Sequence, residues 1–169
     1  NHLKKEVDWV KFNEKKCIVI GICAGDGIGP AITNQAQRIL EYVLKEQIQE
    51  KKIIINLIDG LTIENRAAKN QAIPTDVLNQ LKECDVILKG PTTTPQKGDG
   101  WPNIESANVV MRRELDLFAC VRPIKLPEKS IDWIFFRENT EGAYALGSRG
   151  FSIGDDLSVD FKVITQQGS

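Results

Sequence analysis

Histidine and methionine are almost absent from this chain. Among 169 residues there is one of each, and the histidine, His2, lies in a charged N-terminal stretch. The sequence therefore offers neither a histidine cluster for a metal nor a histidine base within its apolar segments. The four cysteines, Cys17, Cys23, Cys84 and Cys120, show no CxxC spacing. Scattered thiols of this kind predict buried free cysteines and a cytoplasmic location, rather than disulfides or a thiolate metal site.

Long apolar runs and a strong charge imbalance are also missing. No run approaches the ~18 apolar residues that a membrane span needs. With 22 basic and 23 acidic residues, the chain lacks the basic excess of a nucleic-acid binder. We therefore expect neither a membrane nor a nucleic acid as partner. The length suits one domain, or one domain and part of another. Since the single histidine lies in the charged N-terminal stretch, catalytic groups must come from Asp, Glu, Tyr or Lys side chains or from a partner chain.

The first third of the chain has the pattern of a strand, a helix and a strand. Cys17–Cys23 is a β-branched apolar run, which predicts a buried strand. The glycine-rich turn Ala24–Pro30 follows, and Pro30 suits the first turn of a helix. Ile53–Ile58 is a second apolar run. The helix between them carries one apolar stripe: Ile32, Ala36, Ile39, Leu40, Val43 and Leu44. This order predicts a parallel βαβ unit and an α/β fold.

The glycine-rich turn has two interpretations. Gly25 and Gly27 match the first two glycines of a dinucleotide-binding fingerprint, and Asp59 ends the second strand. The third fingerprint position, however, holds Pro30. A tight connection between a strand and a helix is therefore the favoured interpretation.

A third strand, Asp85–Leu88, leads into a loop rich in threonine. Gly60–Ala72 is polar and predicted to be irregular, and Thr75 is the predicted N-cap of the next helix. The loop Lys89–Pro95 follows the third strand. Ligands of open α/β sheets bind beyond the carboxyl ends of strands, which is where these threonine hydroxyls would lie. Gln96–Glu105 is predicted to be a further loop.

Ser106 is the predicted N-cap of a helix that runs to about Leu117. Asn108 and Arg112 are four residues apart and would share one face of that helix. Three polar groups at a helix N-terminus suit a carboxylate ligand. The alternative is that Ser106 is only a cap and Arg112 only a surface charge. Four nearby apolar residues are predicted to be core: Leu115, Leu117, Phe118 and Val121.

Two further arginines follow apolar runs. Arg122 precedes Pro123, and Arg137 ends the predicted strand Ile131–Phe136. Each guanidinium alone is most simply a surface charge, but together with Arg112 they could bind a small polyanion. Beyond them we predict a turn at residues 138–144 and a last strand at residues 161–165.

Five motifs occur in the order of one known family. They are GDGIGP at Gly25–Pro30, KGPTTTP at Lys89–Pro95, SANVVMRRELDLF at Ser106–Phe118, VRP at Val121–Pro123 and FRENTEGAY at Phe136–Tyr144. Through them, the chain resembles the isocitrate and isopropylmalate dehydrogenase family from about Cys17 to Ser169. The combination of FRENTEGAY with the Ser-x-Asn-x-x-x-Arg spacing is specific, whereas GDGIGP alone is weaker.

The resemblance implies a function and a set of residues. Ser106 and Asn108 replace the apolar helix face that receives an isopropyl group, so the chain looks most like an isocitrate dehydrogenase. That activity is the oxidative decarboxylation of isocitrate to 2-oxoglutarate and CO2 with NADP or NAD and with Mg or Mn. The implied substrate-binding residues are Thr93, Ser106, Asn108, Arg112, Arg122 and Arg137. Thr93 would also contact the coenzyme, and Tyr144 would be the catalytic proton donor.

The resemblance also implies an organisation. Family members are longer and are homodimers with a shared active site, so we expect this chain to be an N-terminal portion. The metal ligands are then expected outside it. Predicted boundaries are a polar leader at 1–16, the N-terminal part of the large domain at 17–122, and the start of a small dimerisation domain at 123–169. Isopropylmalate, homoisocitrate or tartrate dehydrogenase, or a non-catalytic regulatory subunit that binds tricarboxylates, remain the alternatives.

Overall fold

The computed structural model describes residues 11–96, 98–142, 151–153 and 155–166. The chain divides into two compact units, residues 1–107 and 108–169, and each is described by itself. The domain boundaries predicted after residues 16 and 122 stay predictions.

The first unit is built on a three-stranded parallel sheet. Its strands are β1 (Ile18–Cys23), β2 (Ile53–Leu57) and β3 (Val86–Lys89), in the order β2-β1-β3. Residue 18 pairs with residue 53, and residue 20 pairs with residue 86. All three apolar runs therefore lie in one parallel sheet, which confirms the α/β prediction.

Two helices connect β1 to β2, namely α1 (Gly29–Val43) and α2 (Lys45–Gln49). Pro30 lies in the first turn of α1, as predicted. The apolar stripe is not the buried face, however, because Ile32, Ile39 and Val43 are 49%, 64% and 66% exposed. Small residues, Gly29 and Thr33, form the buried contact of α1 instead. They allow the helix to approach the backbone at Ala24 and Gly90.

The segment predicted to be irregular contains a helix, α3 (Ile63–Lys69). Thr62 is its N-cap, and the Thr62 hydroxyl accepts a hydrogen bond from the Asn65 N–H at 3.4 Å. Asn70 then adopts a left-handed conformation with φ 48° and ends the helix. The prediction was wrong because the helix is short and one of its two buried residues is an arginine, Arg66.

Helix α4 (Thr75–Lys82) begins one residue earlier than predicted. Thr75 is its first helical residue and Pro74 is the N-cap, without a side-chain cap. The prediction of Thr75 as the cap was therefore wrong. The Thr75 N–H instead donates to the Gln71 side-chain carbonyl at 3.3 Å.

The apolar core lies almost wholly in the first unit. Its buried apolar residues are Ile22, Cys23, Ile58, Leu61, Ile63, Ile73, Val77, Leu81, Ile104 and Ala107. The cysteines that the structure describes are all free, as predicted, but the prediction that they are buried was wrong except for Cys23, because Cys17, Cys84 and Cys120 are half-buried. Burial raises the pKa of the Cys23 thiol to about 11, with a further contribution from Cys84.

Helix α5, Ala107–Glu114, begins at the last residue of the first unit, lies otherwise in the second unit and ends earlier than predicted. The Leu117 N–H donates to the Arg112 carbonyl at 2.8 Å, and the Asp116 N–H donates to the Arg113 carbonyl at 3.4 Å. Asp116 has φ 52°. This is a Schellman ending, in which a left-handed residue closes the last turn.

A long antiparallel hairpin follows, made of β4 (Ala119–Leu126) and β5 (Ile131–Glu138). A 3-10 turn at Pro127–Lys129 and a left-handed Ser130 with φ 53° join the strands. Three of the residues predicted to be core are half exposed: Leu117 (46%), Phe118 (46%) and Val121 (53%). β4 and β5 pair as a two-stranded ribbon, and such a ribbon buries little surface by itself.

Two short strands, β6 (Phe151–Ile153) and β7 (Leu157–Val159), form a second antiparallel pair. The strand predicted at residues 161–165 is wrong, because only Val163 pairs there, in one bridge with Gly142. None of the helices in the described ranges is long and apolar enough to cross a membrane.

Candidate functional site

The carboxyl edge of the parallel sheet holds the predicted binding residue Thr93. β3 ends at Lys89, and the chain then turns through Gly90 into the threonine-rich loop. The Thr93 N–H donates to the Asp26 carboxylate at 2.7 Å, and the Thr93 carbonyl accepts from the Arg66 guanidinium at 2.7 Å. Both peptide groups of this residue are therefore held by charged side chains.

Asp26 joins three segments of the first unit. One oxygen of its carboxylate accepts from the Ile63 N–H at 2.7 Å, at the start of α3, while the other accepts from Thr93. The Asp26 N–H donates to the Pro91 carbonyl at 2.7 Å. With 9% exposure, this carboxylate fixes the glycine-rich turn to α3 and to the loop after β3.

Arg66 is fully buried, and its guanidinium donates to three backbone carbonyls. Nε reaches the Ala72 carbonyl at 2.7 Å, Nη1 reaches Thr93 at 2.7 Å, and Nη2 reaches Glu105 at 3.3 Å. Burial lowers the pKa of Arg66, and the nearby negative charge of Asp26 opposes that shift. An arginine keeps its charge at neutral pH in spite of such a shift.

Ser106 directly precedes α5, where an N-cap was predicted. Its hydroxyl accepts a hydrogen bond from the Thr94 hydroxyl at 3.3 Å. Two hydroxyls from separate segments therefore meet, one following β3 and one preceding α5.

The glycine-rich turn is packed against its own chain. A Cβ on Gly25 would lie 2.0 Å from the Pro91 carbonyl oxygen, and one on Gly29 would lie 2.2 Å from that of Ala24. At these two positions the turn is a tight connection between β1 and α1, whereas a Cβ on Gly27 would meet no atom within 4 Å.

In the second unit, the hairpin places two predicted arginines on one face. Arg137 lies opposite Cys120 in the register, and Cys120 and Arg122 are two residues apart on β4. Because side chains alternate along a strand and opposite residues share a face, Arg122 and Arg137 are diagonal neighbours. Arg122 Nε donates to the Cys120 sulfur at 3.3 Å. This pairing makes a cationic patch on the hairpin.

Asn139 orients Arg137 and connects it to the end of α5. Its side-chain oxygen accepts from the Arg137 guanidinium at 2.9 Å, and its amide donates to the Leu117 carbonyl at 3.2 Å. Asn139 is 5% exposed. Leu117 also closes the last turn of α5 through Arg112. The backbone of Arg112 and the side chain of Arg137 thus belong to one hydrogen-bonded network.

The turn after β5 is organised by Glu138. Its carboxylate accepts from the Thr140 N–H, the Thr140 hydroxyl and the Glu141 N–H at 2.6–2.8 Å. Burial alone would raise the pKa of Glu138, but these hydrogen bonds outweigh it and lower that pKa. One oxygen of this carboxylate is therefore a structural acceptor for the turn.

A sequence model described as isocitrate/isopropylmalate dehydrogenase matches residues 19–169. The chain belongs to the isocitrate/isopropylmalate dehydrogenase family. Curated relatives include an NADP isocitrate dehydrogenase of Staphylococcus epidermidis, 35% identical over 139 residues, which are 75% of this chain and 31% of that protein. Another is the NADP isocitrate dehydrogenase of Caldococcus noboribetus, 34% identical over 137 residues, 76% of this chain and 31% of that protein. The chain thus spans about a third of these relatives.

Solved structures of similar fold agree with this family assignment. A β-decarboxylating dehydrogenase from Thermococcus kodakarensis superimposes with a TM-score of 0.63 and 27% identity, over 89% of this chain and 42% of that one. A Thermus thermophilus protein gives a TM-score of 0.67 over 94% of this chain and 32% of that one. Its identity of 24% supports the fold alone.

The structure describes all but one of the site residues that the family resemblance implies. Thr93 and Ser106 lie in the first unit, on the connected segments described above. The remaining described residues lie in the second unit: Asn108, Arg112, Arg122 and Arg137. Tyr144, the predicted proton donor, lies outside the described residues. These assignments stay predictions.

Three residues that hold the site were not singled out from the sequence: Asp26, Arg66 and Asn139. Asp26 lies between two glycines in GDGIGP, and Asn139 follows Arg137-Glu138 in FRENTEGAY. Both residues could therefore have been selected from the motifs. Arg66 lies in a stretch that was read as polar and irregular, and nothing local distinguishes it from a surface arginine.

No group of three or more His, Cys, Asp or Glu within the described ranges could hold a metal ion.

Proposed function

We propose that the protein carrying this chain is an isocitrate dehydrogenase that uses NADP, converting isocitrate to 2-oxoglutarate and CO2. One observation carries the choice of substrate. In a chain of this family, helix α5 begins with the polar residues Ser106 and Asn108, which suit a third carboxylate and not an isopropyl group. The NADP isocitrate dehydrogenases at 35% and 34% identity support the same choice and favour NADP over NAD.

The first unit would supply neutral donors. The hydroxyls of Thr94 and Ser106 lie 3.3 Å apart, and Thr93 is held next to them by both of its peptide groups. Ser106 stands at the N-terminus of α5, where free N–H groups and the helix dipole favour an anion. Thr93 is also the residue proposed to contact the nicotinamide.

The second unit would supply fixed cations. Isocitrate carries three carboxylates, and a planar guanidinium binds a carboxylate through two parallel hydrogen bonds. Arg122 and Arg137 share one face of the hairpin, and Asn139 orients Arg137. Asn108 and Arg112 are one turn apart on α5 and complete the proposed set.

The reaction removes a hydride from the carbinol carbon and a proton from its hydroxyl, which passes to solvent, and then releases one carboxylate as CO2. NADP, when bound, supplies the hydride acceptor. Arginine and hydroxyl contacts would orient the trianion so that the leaving carboxylate departs and an enolate remains. Tyr144 would then donate its phenolic proton to the enolate carbon. Mg or Mn belongs to the proposal through the family, but no step is assigned to it with the described residues.

A homodimer with a shared active site and a cytoplasmic location complete the proposal, both by family resemblance. By the same resemblance, the metal ligands are proposed to lie outside this chain.

A coenzyme-reduction assay tests the function on the protein as the cell makes it. Isocitrate, isopropylmalate and homoisocitrate are each offered with NADP or NAD, with and without Mn. We expect reduction of NADP that requires isocitrate and the cation. Oxidation of isopropylmalate, and not of isocitrate, would show that isopropylmalate is the substrate and that the proposed substrate is wrong. Tight isocitrate binding without turnover would assign the protein to a regulatory role.

A further inference from the structure

Two charged residues outside the predicted binding set converge on Thr93. Asp26 accepts its N–H at 2.7 Å, and Arg66 donates to its carbonyl at 2.7 Å. Hydrogen bonds to ionised groups are about twice as strong as those between neutral groups. Loop residues are ordinarily the more mobile part of a fold. Here the backbone of a loop residue is clamped on both sides while its side chain stays partly exposed.

Arg66 also sets the position of Ser106. The same guanidinium that holds Thr93 donates to the carbonyl of Glu105, the residue before Ser106, at 3.3 Å. Because a guanidinium is a rigid planar fork, its donors fix the separation of the two segments. The hydrogen bond between the Thr94 and Ser106 hydroxyls, at 3.3 Å, spans the same two segments.

The burial of Arg66 is difficult to explain by packing alone. At 0% exposure, an arginine loses its hydration and needs several hydrogen bonds in return. Apolar residues of similar volume commonly replace buried ion pairs without loss of stability. The three acceptors of Arg66 are backbone carbonyls of separate segments, and one belongs to the loop that follows β3. These hydrogen bonds fix the path of the loop, and they contribute less to the stability of the apolar core.

We propose that Asp26 and Arg66 are positioning residues, which hold the Thr93 and Ser106 segments in the geometry that binds and orients the substrate. The inference rests on the proposed function for the substrate, but the clamp on Thr93 can be measured without it. Neither residue contacts the substrate in this proposal, and both act through the backbone of their neighbours.

Asp26→Asn is the principal test variant, because it keeps the size of the side chain. An amide offers one acceptor oxygen and no charge, so one of the two N–H groups loses its acceptor and the other keeps only a neutral, weaker one; the hydrogen bond of Thr93 is weakened in either case. Asp85→Asn is the matched control. The Asp85 carboxylate likewise accepts a backbone N–H, from Val19 at 2.9 Å, but at the opposite end of the sheet. Arg66→Lys serves as a second variant, since one ammonium cannot span three carbonyls.

Amide hydrogen exchange and steady-state kinetics are measured on the parent and the three variants, using the protein as the cell makes it. In Asp26→Asn we expect the Thr93 N–H to exchange at least tenfold faster. We expect kcat for isocitrate to fall by about a hundredfold, since small misplacements of reacting groups cost that much. The Asp85→Asn control should lose thermal stability and leave both quantities unchanged.

The outcomes separate the inference from the proposed function. Unchanged exchange at Thr93 in Asp26→Asn, or a kcat no lower than in the control, overturns the inference. A purely structural role predicts a lower melting temperature with kcat intact. A parent protein that does not bind isocitrate overturns the proposed function instead, and the exchange data then decide whether Asp26 and Arg66 hold Thr93. If Arg66→Lys fails to fold, Asp26→Asn carries the test alone.

Discussion

The two ends of the parallel sheet use the same chemistry in different surroundings. At the amino end, the Asp85 carboxylate accepts the Val19 N–H and forms an ion pair with Lys15. The Asp85 side chain is 10% exposed and that of Lys15 is 41% exposed. At the carboxyl end, the Asp26 carboxylate accepts two backbone N–H groups and is itself 9% exposed. Both acids hold backbone N–H groups at nearly equal exposure, but their partners differ. Asp85 shares its charge between one N–H and a lysine, whereas Asp26 accepts two N–H groups from separate segments and so fixes the backbone geometry between them.

The packing of the backbone also differs between the two ends of the sheet. At the carboxyl end, Gly25 and Gly90 are buried, and a Cβ on either would lie 2.0 Å from a carbonyl oxygen. At the amino end, an exposed lysine, Lys51, occupies a left-handed position with φ 57°. The effects of substitutions at the two ends should therefore differ in magnitude. They should also differ in whether ligand binding or the stability of the fold is changed.

The largest expected effect is the loss of isocitrate binding in Ser106→Asp. A carboxylate at the start of α5 would repel the substrate carboxylate at ~4 Å with about 4 kcal/mol, at an effective dielectric constant of about 20. That energy corresponds to roughly a thousandfold weaker binding. Calorimetry on the protein as the cell makes it measures the change.

Two control variants isolate the charge in that experiment. Ser106→Asn has the same added volume without the charge and should weaken binding far less. Lys52→Asp adds negative charge at the exposed amino end and should leave the affinity unchanged. Equal losses in Ser106→Asp and Ser106→Asn would mean that shape, not charge, matters at Ser106.

The next largest effect is on stability, in Gly25→Ala. Its φ of 74° strains any side chain, and the new Cβ would also overlap the Pro91 carbonyl oxygen. We expect a loss of about 2–5 kcal/mol, from left-handed strain and overpacking together. Gly27→Ala, with φ 58° and no atom within 4 Å of its Cβ, should show the strain alone. Chemical denaturation compares them, and similar losses in both would argue against the close approach.

A smaller effect concerns pH and the amino end of the sheet. Burial alone would raise the pKa of Asp85, but hydrogen bonds from Lys15 and Val19 outweigh it and lower that pKa. The carboxylate therefore stabilises the fold above its ordinary pKa, and this contribution disappears as the pH falls through the lowered value. Asp85→Asn should cost about 1 kcal/mol at neutral pH. Melting curves between about pH 6 and pH 2 should show the gap between parent and variant closing. A gap that is constant with pH would contradict this.

The smallest effect is expected for Lys51→Gly. Glycine removes the strain at φ 57° but gives the unfolded chain more freedom, and the two contributions nearly cancel. The Lys51 N–H keeps its bond to the Ile48 carbonyl at 3.0 Å. We expect a change within about 1 kcal/mol, in the stabilising direction. A clear loss of stability in thermal melting would show that the lysine side chain contributes at this end after all.

The parallel sheet could be predicted because each strand is marked locally. β1, β2 and β3 are short apolar runs rich in isoleucine and valine, and turns or helices separate them. Strand β5 was predicted as Ile131–Phe136 and is observed at Ile131–Glu138, but its partner β4 was not predicted. Pro123 lies within β4, opposite Ile134, and a proline ordinarily argues against a paired strand. The exposed apolar residues of this hairpin also resemble core residues when only the sequence is read.

The arrangement of the candidate site depends on contacts that no local pattern reveals. Arg66 reaches carbonyls that are 27 and 39 residues further along the chain, and Asp26 reaches N–H groups 37 and 67 residues away. The sequence predicted which motifs to examine, including the start of α5 and the arginines of the hairpin. Which charged residue would hold Thr93 in place follows only from the folded path of the loop.

The three carbonyls that Arg66 engages limit how this protein can evolve. When a charged residue contacts another side chain, both can be exchanged together in compensating steps. The acceptors of Arg66 belong to the backbone at Ala72, Thr93 and Glu105, and no substitution at those positions removes a carbonyl. A lineage that loses the arginine must therefore reroute a loop or admit water to a buried site. Because its acceptors are backbone atoms, Arg66 is costly to substitute.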